Sequence, residues 1–163
     1  MEILTIVPAR SGSKGLPKKN ILPLNGHPLL SYSIAAGLQT QEITRVICST
    51  DTKEIGDIAQ SYGAEVPFYR PQELSNDYCT IGPVISHAVD WMENNGSSIN
   101  HVCCLYPTAP FIEVDSISNA YNKFIEKEAD FCLSVASFPF PIQRAVKISK
   151  SGDAMGVGIS FDF

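Results

Sequence analysis

The sequence contains no unbroken apolar run of the roughly 18 residues that a membrane-spanning helix needs. It also has no basic-then-apolar leader ahead of a small-residue cleavage site, so no membrane association is expected and the cytoplasm is the expected location. Positive charge is scarce: 12 Lys and Arg stand against 17 Asp and Glu, for a net charge of −5. An acidic chain is a poor general partner for nucleic acid or an anionic membrane, so any anionic ligand requires a local cluster of cations. The five cysteines (Cys48, Cys79, Cys103, Cys104 and Cys132) are odd in number and lack C-x-x-C spacing. Four of them lie inside apolar runs and read as small hydrophobes of a reduced protein rather than as metal or redox centres. The three histidines (His27, His87 and His101) are scattered, with neither metal-ligand spacing nor a partnered nucleophile. Internal repeats and low-complexity segments are absent.

What is present is an alternation of short apolar runs with segments of helical period, in 163 residues of which 44% are hydrophobic. That length and composition suit one globular domain with a closed core. Ile3 to Val7 reads as a strand, and Leu30, Ile34 and Leu38 as one face of a helix with Pro28 near its first turn. Arg45 to Ser49 is a second strand. Asp51 and Glu54 have capping-box spacing, followed by Ile55, Ile58, Ala59 and Tyr62 on a helix that Gly63 stops. A short third strand is expected near Val66 to Phe68. Further helices are marked by Val84, Ala88, Trp91 and Met92, and by Ile117, Tyr121, Phe124 and Ile125. Further strands are expected at His101 to Leu105, Phe131 to Val135 and Ala145 to Ile148. The alternation predicts an α/β fold, with a mostly parallel sheet between two helical layers. Ligands of such sheets bind beyond the carboxyl ends of the strands, so loops 8–20, 106–113 and 136–144 should gather at one edge.

The first of these loops carries the strongest chemical signal. Between Pro8 and Asn20 stand four cations (Arg10, Lys14, Lys18 and Lys19) and two glycines, Gly12 and Gly15. Glycines let backbone amides approach a ligand closely, and successive amides in a turn form an anion-binding concavity. Arg forks onto phosphate oxygens while Lys acts as a compact charge. The pattern suits a triphosphate, yet it is neither a Walker A loop nor G-x-G-x-x-G. A solvated basic turn is the plainer alternative.

The stretch from Ile6 to Asn20 resembles the opening motif of the acylneuraminate cytidylyltransferases. The resemblance implies a three-layer α/β/α nucleotidyltransferase fold of Rossmann-like type. It also implies that this loop holds CTP, with backbone near Ala9 at its base and Arg10, Ser11, Ser13, Lys14, Lys19 and Asn20 around the nucleotide. Three further segments are similar to the family in the same order: Cys48–Asp51, Arg70–Asp77 and Tyr106–Phe111. Through them Arg70, Asp77, Tyr106 and Thr108 become candidate substrate contacts. Each has a plain counterpart: Asp51 as a helix cap, Arg70 and Asp77 as turn residues, Pro107 and Pro110 as strand terminators. The family often has Gln where Tyr106 stands, which hints at a different sugar.

Ser137 to Ala145 alternates prolines with aromatic and apolar residues, and is similar to the pseudaminic acid branch of the family. There Gln143 is a candidate reader of an amide or hydroxyl, and Arg144 a candidate partner of a carboxylate or phosphate. By resemblance, the anomeric hydroxyl of an acidic nine-carbon sugar attacks the α-phosphorus of CTP and pyrophosphate leaves. Arg10 and Lys14 are the expected catalytic charges and Mg2+ the expected cofactor. Sialic, legionaminic and 3-deoxy-manno-octulosonic acids are rival substrates, and a CTP-binding fragment without catalysis is a rival function. The family forms homodimers through a C-terminal part that also carries an Asp-x-Asp metal pair. Neither has a match after about residue 148, so residues 1–163 are expected to be one nucleotidyltransferase domain without that part, with its metal ligands unknown.

Overall fold

A computed structural model describes residues 1–13, 15–137, 146–150 and 154–156. Contacts divide the chain into two compact units, Met1–Asp130 and Phe131–Phe163.

The first unit is built on a parallel sheet. Strand β1 (Glu2–Pro8) lies between β4 (Arg45–Ser49) and β5 (Ile99–Cys104), and both neighbours run parallel to it. The β1 register pairs Val7 with Cys48 and Ile6 with Cys104. A fourth extended segment follows β4 through two isolated bridges, Ile47 with Glu65 and Thr50 with Tyr69. The strand expected near Val66 to Phe68 is thus reduced to contacts at its two ends. A tight β-ribbon, β2 (Pro23–Leu24) with β3 (His27–Pro28), turns at Asn25 and Gly26, both at positive φ, and leads into α1.

The period-two alternation of β1 sends its side chains to opposite faces. Leu4 and Ile6 join Ile47, Phe68, Ala88 and Met92 in a core under α3 (Ile81–Asn94). Val7 joins Val46, Cys48, Leu30, Ile34, Ile55, Ala59 and Ile117 in the opposite core. That second core packs α1 (Leu29–Gln39), α2 (Lys53–Ser61) and α4 (Val114–Glu126) on the other face. Helix α1 lies close on the sheet because Gly37 has no side chain: a Cβ there would stand 3.2 Å from Val46 Cγ2 and 3.3 Å from Thr5 Cγ2. Each fully buried Leu or Ile in these cores stabilises the fold by roughly 1.5–3 kcal/mol relative to exposure. The result is the expected α/β/α layering, with helices on both faces of a parallel sheet.

Two expectations need correction. Residues 131–137 adopt no regular structure, and Phe131, Leu133 and Val135 are all largely exposed. Apolar alternation makes a strand only when an edge accepts its backbone hydrogen bonds. The Asp51–Glu54 capping box does not form either: Thr52 is the N-cap of α2, with no side-chain cap. Both carboxylates have tertiary partners instead. The second unit contains an antiparallel pair, β6 (Val146–Ile148) with β7 (Ala154–Gly156), which includes the last strand expected from the sequence.

Candidate active site

Strand β1 has a neighbour on each side, reached by connections that leave in opposite directions, and a crevice opens beyond the carboxyl ends at such a point. The crevice is a cleft of about 300 Å³. Its walls come from the loop after β1 (Pro8, Arg10, Gly12, Ser13, Lys19, Asn20), the 70–80 loop with the start of α3, and the loop after β5 (Tyr106, Pro107, Thr108). Two of the three loops expected to gather therefore do so. The third, 136–144, lies mostly outside the described residues, and a loop from 70 to 80 supplies a wall that the sequence reading did not place there.

The loop after β1 is tied at both ends. Ala9 is fully buried and its N–H donates to the Ser49 carbonyl at 3.0 Å, extending the β1–β4 ladder past the strand. The next tie is Asp51, whose carboxylate accepts the Ser11 amide and the Ser11 hydroxyl, each at 2.8 Å. At the far end Asn20, buried on a short 3-10 turn (Lys19–Ile21), donates its side-chain amide to the Arg10 carbonyl at 2.9 Å. Ser11 therefore shapes the loop, with its amide and hydroxyl both taken. Lys18, at positive φ, turns its ammonium onto Glu54 and is not part of the cleft wall. Lys14 lies outside the described residues, as do Gln143 and Arg144.

Arg10 points across the cleft. Its Nη2 donates to Asp77 Oδ1 at 2.8 Å and its Nη1 to the Ser75 carbonyl at 3.2 Å. The ion pair is about one-third exposed on each side, where solvent screens it heavily. A phosphate entering the cleft would share or replace Asp77 on this guanidinium. Asp77 is thus placed on Arg10 rather than in the cleft wall.

Arg70 is held differently. Its N–H donates to the Thr50 carbonyl, which fixes it at the end of the fourth extended segment. Only 6% of the residue is exposed, Nε donates to Ser75 Oγ at 3.2 Å, and Nη2 has no hydrogen-bond partner. Burial pushes this guanidinium below its usual range, partly offset by the charge of Asp51. A buried donor with no partner costs about 1–3 kcal/mol, and more for a charged group. Evolution tolerates such a cost most readily where a ligand completes the set.

Tyr106 and Thr108 present exposed side chains to the cleft. Their loop is anchored from beneath, because Ser33 of α1 donates its hydroxyl to the Tyr106 carbonyl at 2.7 Å. Asn76 forms an Asx turn, its Oδ1 accepting the amides of Tyr78 (2.8 Å) and Cys79 (3.0 Å), and so shapes the 70–80 wall. Sequence reasoning missed Asn76, Cys79, Ser33 and the positioning role of Asp51. The Asx signal at Asn76 was readable, but nothing in a linear sequence ties Ser33 to Tyr106 or Asp51 to Ser11.

The described residues contain no group of three or more His, Cys, Asp or Glu able to hold a metal ion. Two carboxylates tied to the cleft loops, Asp51 and Asp77, are engaged with Ser11 and Arg10. These residues therefore offer Mg2+ no ready set of protein ligands.

Comparison with known proteins decides the family, because a family model described as Cytidylyltransferase matches residues 4–152. The chain belongs to the cytidylyltransferase family. Among relatives of this cytidylyltransferase chain, a pseudaminic acid cytidylyltransferase of Campylobacter jejuni is 40% identical over 151 residues, 93% of this chain and 65% of the relative. An N-acylneuraminate cytidylyltransferase of Escherichia coli is 39% identical over 132 residues, 81% of this chain and 30% of that protein. The chain thus spans just under two thirds of the length of its pseudaminic acid relatives. In fold, it matches the structure of CMP:2-keto-3-deoxy-manno-octonic acid synthetase complexed with CTP at a TM-score of 0.65. That match has 21% identity and covers 79% of this chain and 49% of that one. The layering belongs to the Rossmann-like nucleotidyltransferase type.

Proposed function

We propose that this protein transfers CMP from CTP to the anomeric hydroxyl of a nonulosonic acid, with pseudaminic acid as the favoured acceptor, and releases pyrophosphate. The observation that carries the reading is the cleft itself. In an acidic chain, Arg10, Lys19 and the incompletely bonded Arg70 converge beyond the carboxyl ends of the sheet, on loops tied in place before any ligand arrives. Such an arrangement suits a polyanion. The pseudaminic acid relative named above supports the choice of sugar.

In this reading the amides from Gly12 onward hold the triphosphate with Arg10, Lys14 and Lys19, whereas Lys18 is paired with Glu54. Arg10, with Lys14, stabilises charge on the departing pyrophosphate. Asp51 and Asn20 act as positioning residues by fixing the loop. Tyr106 and Thr108 face the acceptor, and Gln143 and Arg144 stay candidate acceptor contacts on the resemblance alone. Mg2+ enters as a companion of the triphosphate, where it would neutralise phosphate charge, and no step of this reading runs through a protein-bound metal. Cytoplasmic location belongs to the same reading; no helix among the described residues is long and apolar enough to cross a membrane.

The test is pyrophosphate release with CTP, Mg2+ and pseudaminic acid, with N-acetylneuraminic acid in parallel. Release with pseudaminic acid alone is expected. Release with N-acetylneuraminic acid alone would move the assignment to the sialic acid branch. A second reading, CTP binding without turnover, draws on one observation: Asp51 and Asp77 are already engaged with Ser11 and Arg10. It predicts a calorimetric signal for CTP and no pyrophosphate with any acceptor.

A further inference from the structure

Five thiols are free, and four of them are accounted for without chemistry. Cys48 is buried, and burial pushes its thiol up to about 12. Cys104 is raised by burial to about 11, and Cys103 is raised for the same reason. Such thiols stay protonated and react slowly, since the thiolate is the nucleophile. Cys132 is exposed, in the second unit, with no charged or polar partner among the described residues to make it selective. Cys79 differs from all of these. It is half-buried and lines the cleft beside Arg70, and its Sγ makes only a 3.4 Å contact with the neighbouring Thr80 carbonyl.

A thiol in a cleft is not by itself a site. The second observation is Arg70, more than nine-tenths buried, which lines the same cleft and whose Nη2 no group satisfies. Arg10 and Lys19 line the same cleft. A reagent carrying negative charge would therefore be drawn to the place where the thiol waits, and its anionic group would meet an incompletely bonded guanidinium.

We propose that Cys79 is a modification site within the nucleotide cleft, selective for small anionic disulfides, and that its adduct and a bound nucleotide exclude each other. The step is thiol–disulfide exchange. The Cys79 thiol loses its proton to solvent and its thiolate attacks one sulfur of the reagent. The reagent's S–S bond breaks as a mixed disulfide forms on Cys79, and the other half leaves as a thiolate. The adduct occupies cleft volume and sets a negative charge near Arg70, so both sterics and charge oppose a triphosphate. This mutual exclusion rests on the nucleotide reading, whereas the selectivity for anionic reagents does not.

The native protein is treated with a dianionic aryl disulfide, 5,5′-dithiobis(2-nitrobenzoate), and in parallel with the neutral 2,2′-dithiodipyridine. Peptide mass mapping follows the adduct on each cysteine, with Cys132 as the internal reference. The ratio of Cys79 to Cys132 modification should be higher with the anionic reagent by about tenfold, the usual worth of a charge-assisted contact. CTP at about 100 times its calorimetric Kd leaves about one cleft in a hundred open, so Cys79 should slow by about a hundredfold. A Cys79 that stays unmodified while Cys132 reacts overturns the proposal, as does a ratio indifferent to reagent charge. Undiminished Cys79 labelling with CTP demonstrably bound overturns the mutual exclusion. If calorimetry shows no CTP binding, the nucleotide reading fails, and the modification site is then decided by the charge preference alone.

Discussion

The two ends of the parallel sheet each hold an arginine, and the contrast between them separates structure from function. At the amino end, Arg45 borders a groove of about 600 Å³, twice the volume of the carboxyl-end cleft. Its guanidinium is satisfied: it donates to both Glu65 oxygens, to Glu2 and to Ser97. The hydrogen bond to Glu65 leads the effects that hold its pKa above the usual value, and the same bond holds the Glu65 carboxyl below the usual carboxylate range. At the carboxyl end, Arg70 is more deeply buried and less well bonded, and burial drives its pKa the other way. The larger hollow has its charges met and the smaller does not. Unmet charge, rather than volume, marks where a ligand belongs.

Four measurements would break or sharpen that contrast. The largest expected effect lies at the reacting end: Arg10→Ala should lower pyrophosphate release by about 100-fold, the usual loss when one donor to developing charge is removed. A near-normal rate would take Arg10 out of the catalytic role. Next, Arg70→Met should weaken CTP binding by about tenfold while leaving the urea unfolding midpoint unchanged or higher, because a costly buried cation is replaced by an apolar chain of similar length. A large stability loss with intact CTP affinity would make Arg70 structural instead. Arg45→Met should do the reverse: a stability loss of about 1 kcal/mol, with CTP affinity unaltered. A change in affinity there would mean that the two ends are not independent.

The smallest effect concerns pH. The folded pKa of Glu65 is depressed, so its stabilisation is fully present above the unfolded carboxylate pKa of about 4.3 and is lost as pH falls through the lower folded value. Urea titrations of wild type and Glu65→Gln should therefore differ near neutral pH and converge on acidification. A difference that persists at the most acid pH would assign the effect to packing.

Much of this contrast was legible in the sequence, but only on the local scale. Strands β1, β4 and β5 and all four helices of the first unit follow from apolar period. In each case a short repeat of buried positions, such as Leu30 and Ile34, was enough to fix one face. The strand near Val66 to Phe68 shrank to two bridges, and Phe131 to Val135 formed none, because pairing depends on an available edge that composition does not encode. Half of the cleft was readable for the same local reason: cations and glycines between Arg10 and Lys19 are unusual in an acidic chain. Arg70 stood out only through its surrounding motif, and its unmet Nη2 was invisible. The Asp51 carboxylate was misread because the helix-capping explanation is local, whereas its partner Ser11 is 40 residues away.

That last contact has a consequence for how the first loop tolerates change. With Ser11 fastened to Asp51 and Asn20 fastened to Arg10, the loop is closed on itself at its root, so a change in its length cannot be passed on to β1 or to the turn that follows. Residues added near its tip would bulge outward and leave both anchors in register. Residues removed would draw Asn20 away from Arg10 and open the root, so this segment should admit insertions far more readily than deletions.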